Sequence, residues 1–408
     1  RVDTRVVFLD ALVKDKKTKS AVNDLKPENF EVLADGRRRD VTYFAREGDQ
    51  GRKPLALVLI FDLQRHGAGR YMRRADILAA MAAELTKLRP EDEVAVVVLN
   101  AAGANNDREW LVRLTRQRAQ VTTALSTIPT LVADDSEKSR DSREAEPEVL
   151  TTDTLDPAKP EAERQEPARR GEPAAAEEVE DEVEEFVDSK GQRATRMMKP
   201  DGTLLVRRLN KDGSETIDNT GASELPVVTR DIARLLAKER PNSQGALVYI
   251  TDGIVPIFYA ERDYVESKLT RSNLIFNALV TDMKFGFRLL MPIAKPIGNW
   301  VGLSIAGSAQ RLAKQSGGES LRVRRPADYA SGLQKIIGNL NARYSLGFAL
   351  AESETNDGRL HSLEVRVRGA RDAKGKERKL EVKSRAGYFM PQKKGEEAKR
   401  DNAAGENR

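Results

Sequence analysis

The feature that most constrains this chain is an unbroken apolar run at residues 55–61 (LALVLIF), which ends in Asp62. A strand with no polar alternation has no face to offer water. It must be covered on both sides, as strands are inside a parallel sheet flanked by helices. The neighbouring sequence agrees. Ile77, Met81, Leu85 and Leu88 fall at helical spacing, residues 93–99 (EVAVVVL) read as a second covered strand, and residues 117–128 read as another helix. After an interruption the alternation resumes with a helix over 225–238 and a strand over 246–251 (ALVYIT) that ends at Asp252-Gly253. A strand at 274–280 and a short helix at 308–315, stopped by Gly317-Gly318, follow. Leu333, Ile336, Ile337, Leu340 and Tyr344 then share one helical face. Strand–helix alternation of this kind predicts a doubly wound, mostly parallel α/β sheet.

The interruption and the two ends have a different character. Residues 134–188 carry 21 acidic and 7 basic side chains, a net charge of −14, on a chain whose total is +5. Few large apolar residues accompany them, so burial cannot offset chain entropy, and the sequence predicts a largely disordered acidic insertion over 131–224. Residues 203–208 and the Lys211-Asp212-Gly213 turn predict a hairpin within it, packed by Met197 and Met198. Residues 1–50 read as a β segment, with strands at 5–13, 30–33 and 41–44. Residues 344–391 read likewise, including Leu363, Val365 and Val367 alternating with Glu364, Arg366 and Arg368. Neither end has strands enough to bury a sheet face alone, so the two are expected to pair as one sandwich-like domain. The α/β domain then comprises residues 51–130 and 225–343, and residues 392–408 form a disordered tail.

Composition removes several chemistries. The chain has no cysteine, so disulfides and thiolate sites are excluded. Its two histidines, His66 and His361, are too few for a multi-histidine zinc site, and no nucleophile is evident beside either. The longest apolar region, 285–306, is broken by Arg288, Pro292, Lys295 and Pro296, so no transmembrane segment is expected. Basic residues lie scattered among acids without interleaved aromatics, which argues against nucleic acid. Trp110 and Trp300 read as partly buried core.

LALVLIFD (55–62), EVAVVVL (93–99) and LVYITDG (247–253) together resemble the von Willebrand factor A domain. The flanks DLKPENFEVLADGRRRDVTYF (24–44), QSGGESLRV (315–323) and YSLGFALAESETNDGRLHSLEVRVRG…SRAGYF (344–389) are similar to the VWFA-related family of acidobacterial secreted proteins. The resemblance implies a Rossmann-like domain framed by a β-sandwich-like one. It also implies a non-catalytic role in binding or adhesion to an unidentified protein partner, and a secreted, periplasmic or cell-envelope location. A structural part of an envelope assembly without a discrete ligand site remains the alternative, with a hydrolase built on Asp62, Asp252 and His66 a third reading.

The family's metal-ion-dependent adhesion site uses Asp-x-Ser-x-Ser after the first strand, a threonine from a later loop and the aspartate of the TDG strand. By resemblance, Asp62 and Asp252 correspond to its carboxylates. Gln64 and His66 stand where the serines would be, with Arg65 between them, and Thr220 is the nearest threonine by position. Mg²⁺ requires an octahedral oxygen shell, to which an imidazole nitrogen is ill suited. The expectation is a degenerate site in which Gln64, Arg65, His66, Thr220 and Gly253 form a contact edge with no cofactor, Mg²⁺ being the ion that Asp62 and Asp252 would hold.

Overall fold

The computed structural model describes residues 5–46, 53–63, 68–100, 108–132, 183–187, 192–199, 202–209, 214–221, 223–251, 254–282, 296, 303–354, 357, 359–371 and 374–390. At the N-terminal end lie β1 (Val6–Asp15), β2 (Phe30–Ala34), β3 (Arg37–Arg39) and β4 (Tyr43–Ala45). The α/β domain begins with β5 (Leu55–Asp62), every residue of which is buried. Helices α1 (Gly69–Met72) and α2 (Ala75–Leu85), strand β6 (Glu93–Leu99), strand β7 (Arg108–Thr115) and helix α3 (Arg118–Leu131) complete its first part.

Four strands follow: β8 (Val183–Val187), β9 (Arg193–Met198), β10 (Leu204–Leu209) and β11 (Glu215–Thr220). They form an antiparallel meander in which each strand pairs with the next. The sequence predicts only the hairpin of β10 and β11. It misses β8 and β9 because their apolar positions are sparse and their pairing is partly ionic: Glu184 sits opposite Arg196 and bonds it at 2.9 Å. The sheet rests through Met198, Leu204 and Val206 on Val227 and Tyr264 of the helices described next. The acidic residues 133–182, expected to be disordered, lie outside the described residues.

The second part of the α/β domain supplies α4 (Leu225–Glu239), β12 (Gln244–Thr251), β13 (Ile254–Phe258), α5 (Tyr259–Arg271) and β14 (Ile275–Thr281). Strand β15 (Leu303–Ala306), α6 (Ser308–Gln315), β16 (Ser320–Val323) and α7 (Asp328–Asn341) complete it. The central sheet has the order β16-β14-β12-β5-β6-β7. Numbered within the sheet by chain position this is 3-2-1-4-5-6, the doubly wound arrangement with a reversal beside its first strand. All its pairings are parallel except β6 with β7. Helices α2, α3 and α7 cover one face, with Leu57, Leu59 and Val96 beneath them. Helices α4, α5 and α6 cover the other, over Val58, Ile60 and Tyr249. The fold class is therefore the Rossmann-like one that the apolar run at 55–61 predicts. Strand β7 escapes that reading because it is a half-exposed edge with register shifts against β6. Tyr344 also departs from it: the last helix stops at Asn341, and Tyr344 starts a strand.

The chain closes with β17 (Tyr344–Ala349), β18 (His361–Val367), β19 (Leu380–Lys383) and β20 (Gly387–Tyr388). These interleave with the N-terminal strands in two sheets, β19-β1-β17-β4 and β20-β18-β2-β3. Leu9, Val32, Phe348 and Val365 belong to the single buried cluster they share. Tyr344 anchors it, accepting from the Leu25 amide at 3.0 Å and donating to the Val22 carbonyl at 2.9 Å. Among the described residues no helix is long and apolar enough to cross a membrane.

Candidate functional site

Open α/β sheets bind ligands outside the carboxyl ends of their strands, near the point where the strand order reverses. Here that point lies between β5 and β12, at Asp62 and Thr251. Asp62 is 5% exposed. Its Oδ2 accepts a 2.7 Å hydrogen bond from the Tyr249 hydroxyl on the adjacent strand, and its Oδ1 a 2.9 Å bond from Asn100 Nδ2 just past β6. Asn100 adopts a left-handed backbone, φ +56, a conformation that asparagine tolerates better than most residues. That turn directs its amide back to the strand end. Asp62 thus ties three neighbouring strands, β12, β5 and β6, where their pairing ends.

The outer part of this edge is ionic. Arg108, which pairs with Leu99 across β6 and β7, reaches Glu224 at 3.1 Å and Asp231 at 3.5 Å. Glu224 is the residue from which α4 starts. Thr220 ends β11 opposite Leu204, and its Oγ1 is buried with no hydrogen-bond partner. The hydroxyl of Thr251, fully buried at the end of β12, is likewise without a partner.

Of the residues singled out by sequence, Asp62 and Thr220 are thus placed. Gln64, Arg65, His66, Asp252 and Gly253 lie outside the described residues. The other histidine is remote from this edge. His361 sits on β18 of the sandwich, its Nδ1 2.7 Å from Asp35 and its Nε2 3.2 Å from Asp357. Sequence reasoning missed Tyr249, Asn100 and Arg108. A signal existed for the first two: Tyr249 is a polar-tipped side chain in the middle of ALVYIT, and Asn100 directly follows EVAVVVL. Arg108 had none, because its strand was not recognised.

Each Asp62 oxygen accepts one of these hydrogen bonds, from an uncharged donor in both cases. A magnesium site asks for several oxygen ligands around an open, hydrated position. Gln64, His66 and Asp252, which the resemblance sets beside Asp62 for such a shell, lie outside the described residues.

No protein-family model matches the chain, and no curated protein sequence matches it. Similar solved structures include the SpRpn10 VWA domain, with 8% identity and a TM-score of 0.32, covering 69% of this chain and 93% of that one. The pilus adhesin SpaC from Lactobacillus rhamnosus GG in its open conformation aligns with 7% identity and a TM-score of 0.33, over 91% of this chain and 49% of the adhesin. The human COPII-coat protein Sec24c aligns with 9% identity and a TM-score of 0.35, over 91% of this chain and 49% of its own length. The chain therefore spans about half of the adhesin and of the coat protein. Likeness at that level carries no functional information. The von Willebrand factor A-like architecture of the central domain rests on its own strand order, its parallel register and its one antiparallel edge.

Proposed function

We propose that the chain is a non-catalytic protein-binding module that meets its partner at the carboxyl edge of the central sheet, without a bound divalent ion. The observation that carries this is Asp62, a strand-end carboxylate whose two oxygens are held by Tyr249 and Asn100. Tyr249 and Asp62 are both buried, which suits a pair that fixes the strand ends better than one that meets a substrate. Gln64, Arg65, His66, Thr220 and Gly253 are the proposed contact residues, and Asp252 the second carboxylate of the degenerate site. The sequence resemblance supports a place at or outside the cell envelope.

Two measurements test this. Calorimetry of the purified chain with Mg²⁺ and Mn²⁺ should show no tight stoichiometric binding. Capture of a partner from an extract of the source cells should be equal in Mg²⁺ and in EDTA. It should be lost when Arg73 and Arg74, exposed where α2 begins at this edge, are both changed to Glu. It should survive Lys87→Glu beyond the other end of the same helix. Capture that requires Mg²⁺, or that ignores the edge substitutions, sinks the reading.

A further inference from the structure

At the opposite edge of the central sheet, where β1 of the sandwich crosses the amino ends of β12 and β14, a small open cleft is lined by residues of β1, β4 and the end of α7. Its charged lining residues are Arg343, Arg46, Lys53 and Asp10, three cations and one carboxylate. Arg343 follows α7 and is 5% exposed. Its Nη2 donates to the Gly317 carbonyl at 2.6 Å, while Nε and Nη1 are buried with no hydrogen-bond partner.

A guanidinium carries five N–H donors and is costly to bury when they are unmet. Burial pushes Arg343 down to about 10, against the charges of Asp10 and Glu319, which act to raise it. The protein's own compensation is therefore incomplete. Asp10 spends one oxygen on the Ser345 hydroxyl at 2.7 Å, and its charge acts on Arg385 as well as on Arg343. The end of α7 adds only partial negative charge. Neutral hydrogen-bonding groups, Gln244 and Asn273, line the same cleft. A forked guanidinium beside further cations and amides is the chemistry that receives an oxyanion with two charges.

We propose that this cleft binds a small dianionic oxyanion of the phosphate class, which supplies the partner that Arg343 Nε and Nη1 lack, with Arg46 and Lys53 as the cationic rim. The site is independent of the contact edge at Asp62 and of whether that edge binds protein.

Calorimetric titration of the whole chain with inorganic phosphate, at an ionic strength held constant with chloride, tests it, with acetate as the singly charged control. One saturable site with a Kd of about 1 mM or tighter is expected, with acetate weaker by about tenfold or more. Arg46→Ala with Lys53→Ala should weaken phosphate by about tenfold, measured on the folded variant. Arg343→Gln, where it folds, should abolish binding. Absence of a saturable phosphate site, equal affinity for acetate, or unchanged phosphate affinity in the rim variant overturns the proposal.

Discussion

Replacing Glu319 by glutamine removes one charge from a joint at which three parts of the molecule meet. Glu319 precedes β16 and bonds Lys14 of β1 at 2.6 Å, Lys383 of β19 at 2.7 Å, and the Asn339 amide of α7. The Lys14 and Glu319 side chains are only 4% and 5% exposed. Burial alone would raise the Glu319 carboxyl, but the hydrogen bonds and charges of the two lysines outweigh it and hold the group at about 2, from an ordinary 4.5. That difference corresponds to about 3 kcal/mol of stability carried by the ionised carboxylate. Lys14 works the other way: burial lowers its pKa against the pull of Glu319, so the net gain from the pair is smaller than the Glu319 figure. A depressed carboxyl contributes fully above its unfolded value and loses that contribution as pH falls through its folded value, here from about 4.5 toward 2. Glu319→Gln should therefore cost about 3 kcal/mol at pH 7, since Lys14 stays buried without its counter-charge. The gap to the unmodified chain should close between pH 4.5 and 2. Urea unfolding, repeated across that range, measures both effects. A loss below about 1 kcal/mol at neutral pH, or a gap that does not change with pH, refutes the reasoning. Lys14→Met combined with Glu319→Gln should recover much of the loss, because no buried lysine is then left uncompensated.

Asp62→Ala leaves the buried Tyr249 hydroxyl and the Asn100 amide without their acceptor and should cost about 1–3 kcal/mol in chemical denaturation. Asp62→Asn keeps an acceptor oxygen and should cost less, and the reverse order would count against a structural carboxylate. Gly317→Ala asks for a Cβ at φ +78, 2.5 Å from the Ser384 carbonyl carbon, and should loosen the joint, read as faster amide exchange in β1 and β19. Deleting residues 345–391 removes both neighbours of β1, and protected amides persisting over Val6–Asp15 in that truncation would disprove a shared sandwich.

How much of this was legible in the sequence depends on how each element earns its burial. Strands β5, β6, β12 and β14 are covered on both faces, so their apolar runs announce them. Strands β8 and β9 are held by an ion pair: Glu184 takes Arg196, Lys268 and Arg271 around one carboxylate, and Arg196 stacks 4.5 Å from the Phe186 ring. Helix α5 escaped for the same reason. Its inner face includes Glu261 and Lys268, and Glu261 caps its own helix by accepting from the Phe258 amide at 2.9 Å. A hydropathy pattern counts such residues as solvent-facing. At the candidate site, Asp62 was visible because it ends an apolar run; Tyr249 and Asn100 stand out as polar residues in or just after such runs, but that they meet Asp62 is fixed by strand register, which no local pattern encodes.

The stretch at 315–323 shows the same limit from the other side. As sequence it was one more point of family resemblance, and Gly317-Gly318 read as a helix stop. In space those residues join the two domains. Gly318 cannot carry a side chain because its Cβ would lie 2.0 Å from the Phe276 carbonyl oxygen, and Gly317 lies against Ser384 and Arg385 of the sandwich. The Gln315 carbonyl accepts from the Ala386 amide at 2.9 Å, and Glu319 takes both lysines. Arg385 spans the joint, donating to Phe8 of β1 and, at 2.9 Å, to the Thr270 carbonyl of α5. A flexible tether would need neither the glycine pair nor the buried charges. Their presence means that the α/β domain is formed with the sandwich seated on it, so the contact edge at Asp62 and the cleft at Arg343 are held at opposite ends of one sheet. A ligand in the cleft would then stabilise the joint directly, and it could affect the contact edge only through the sheet between them.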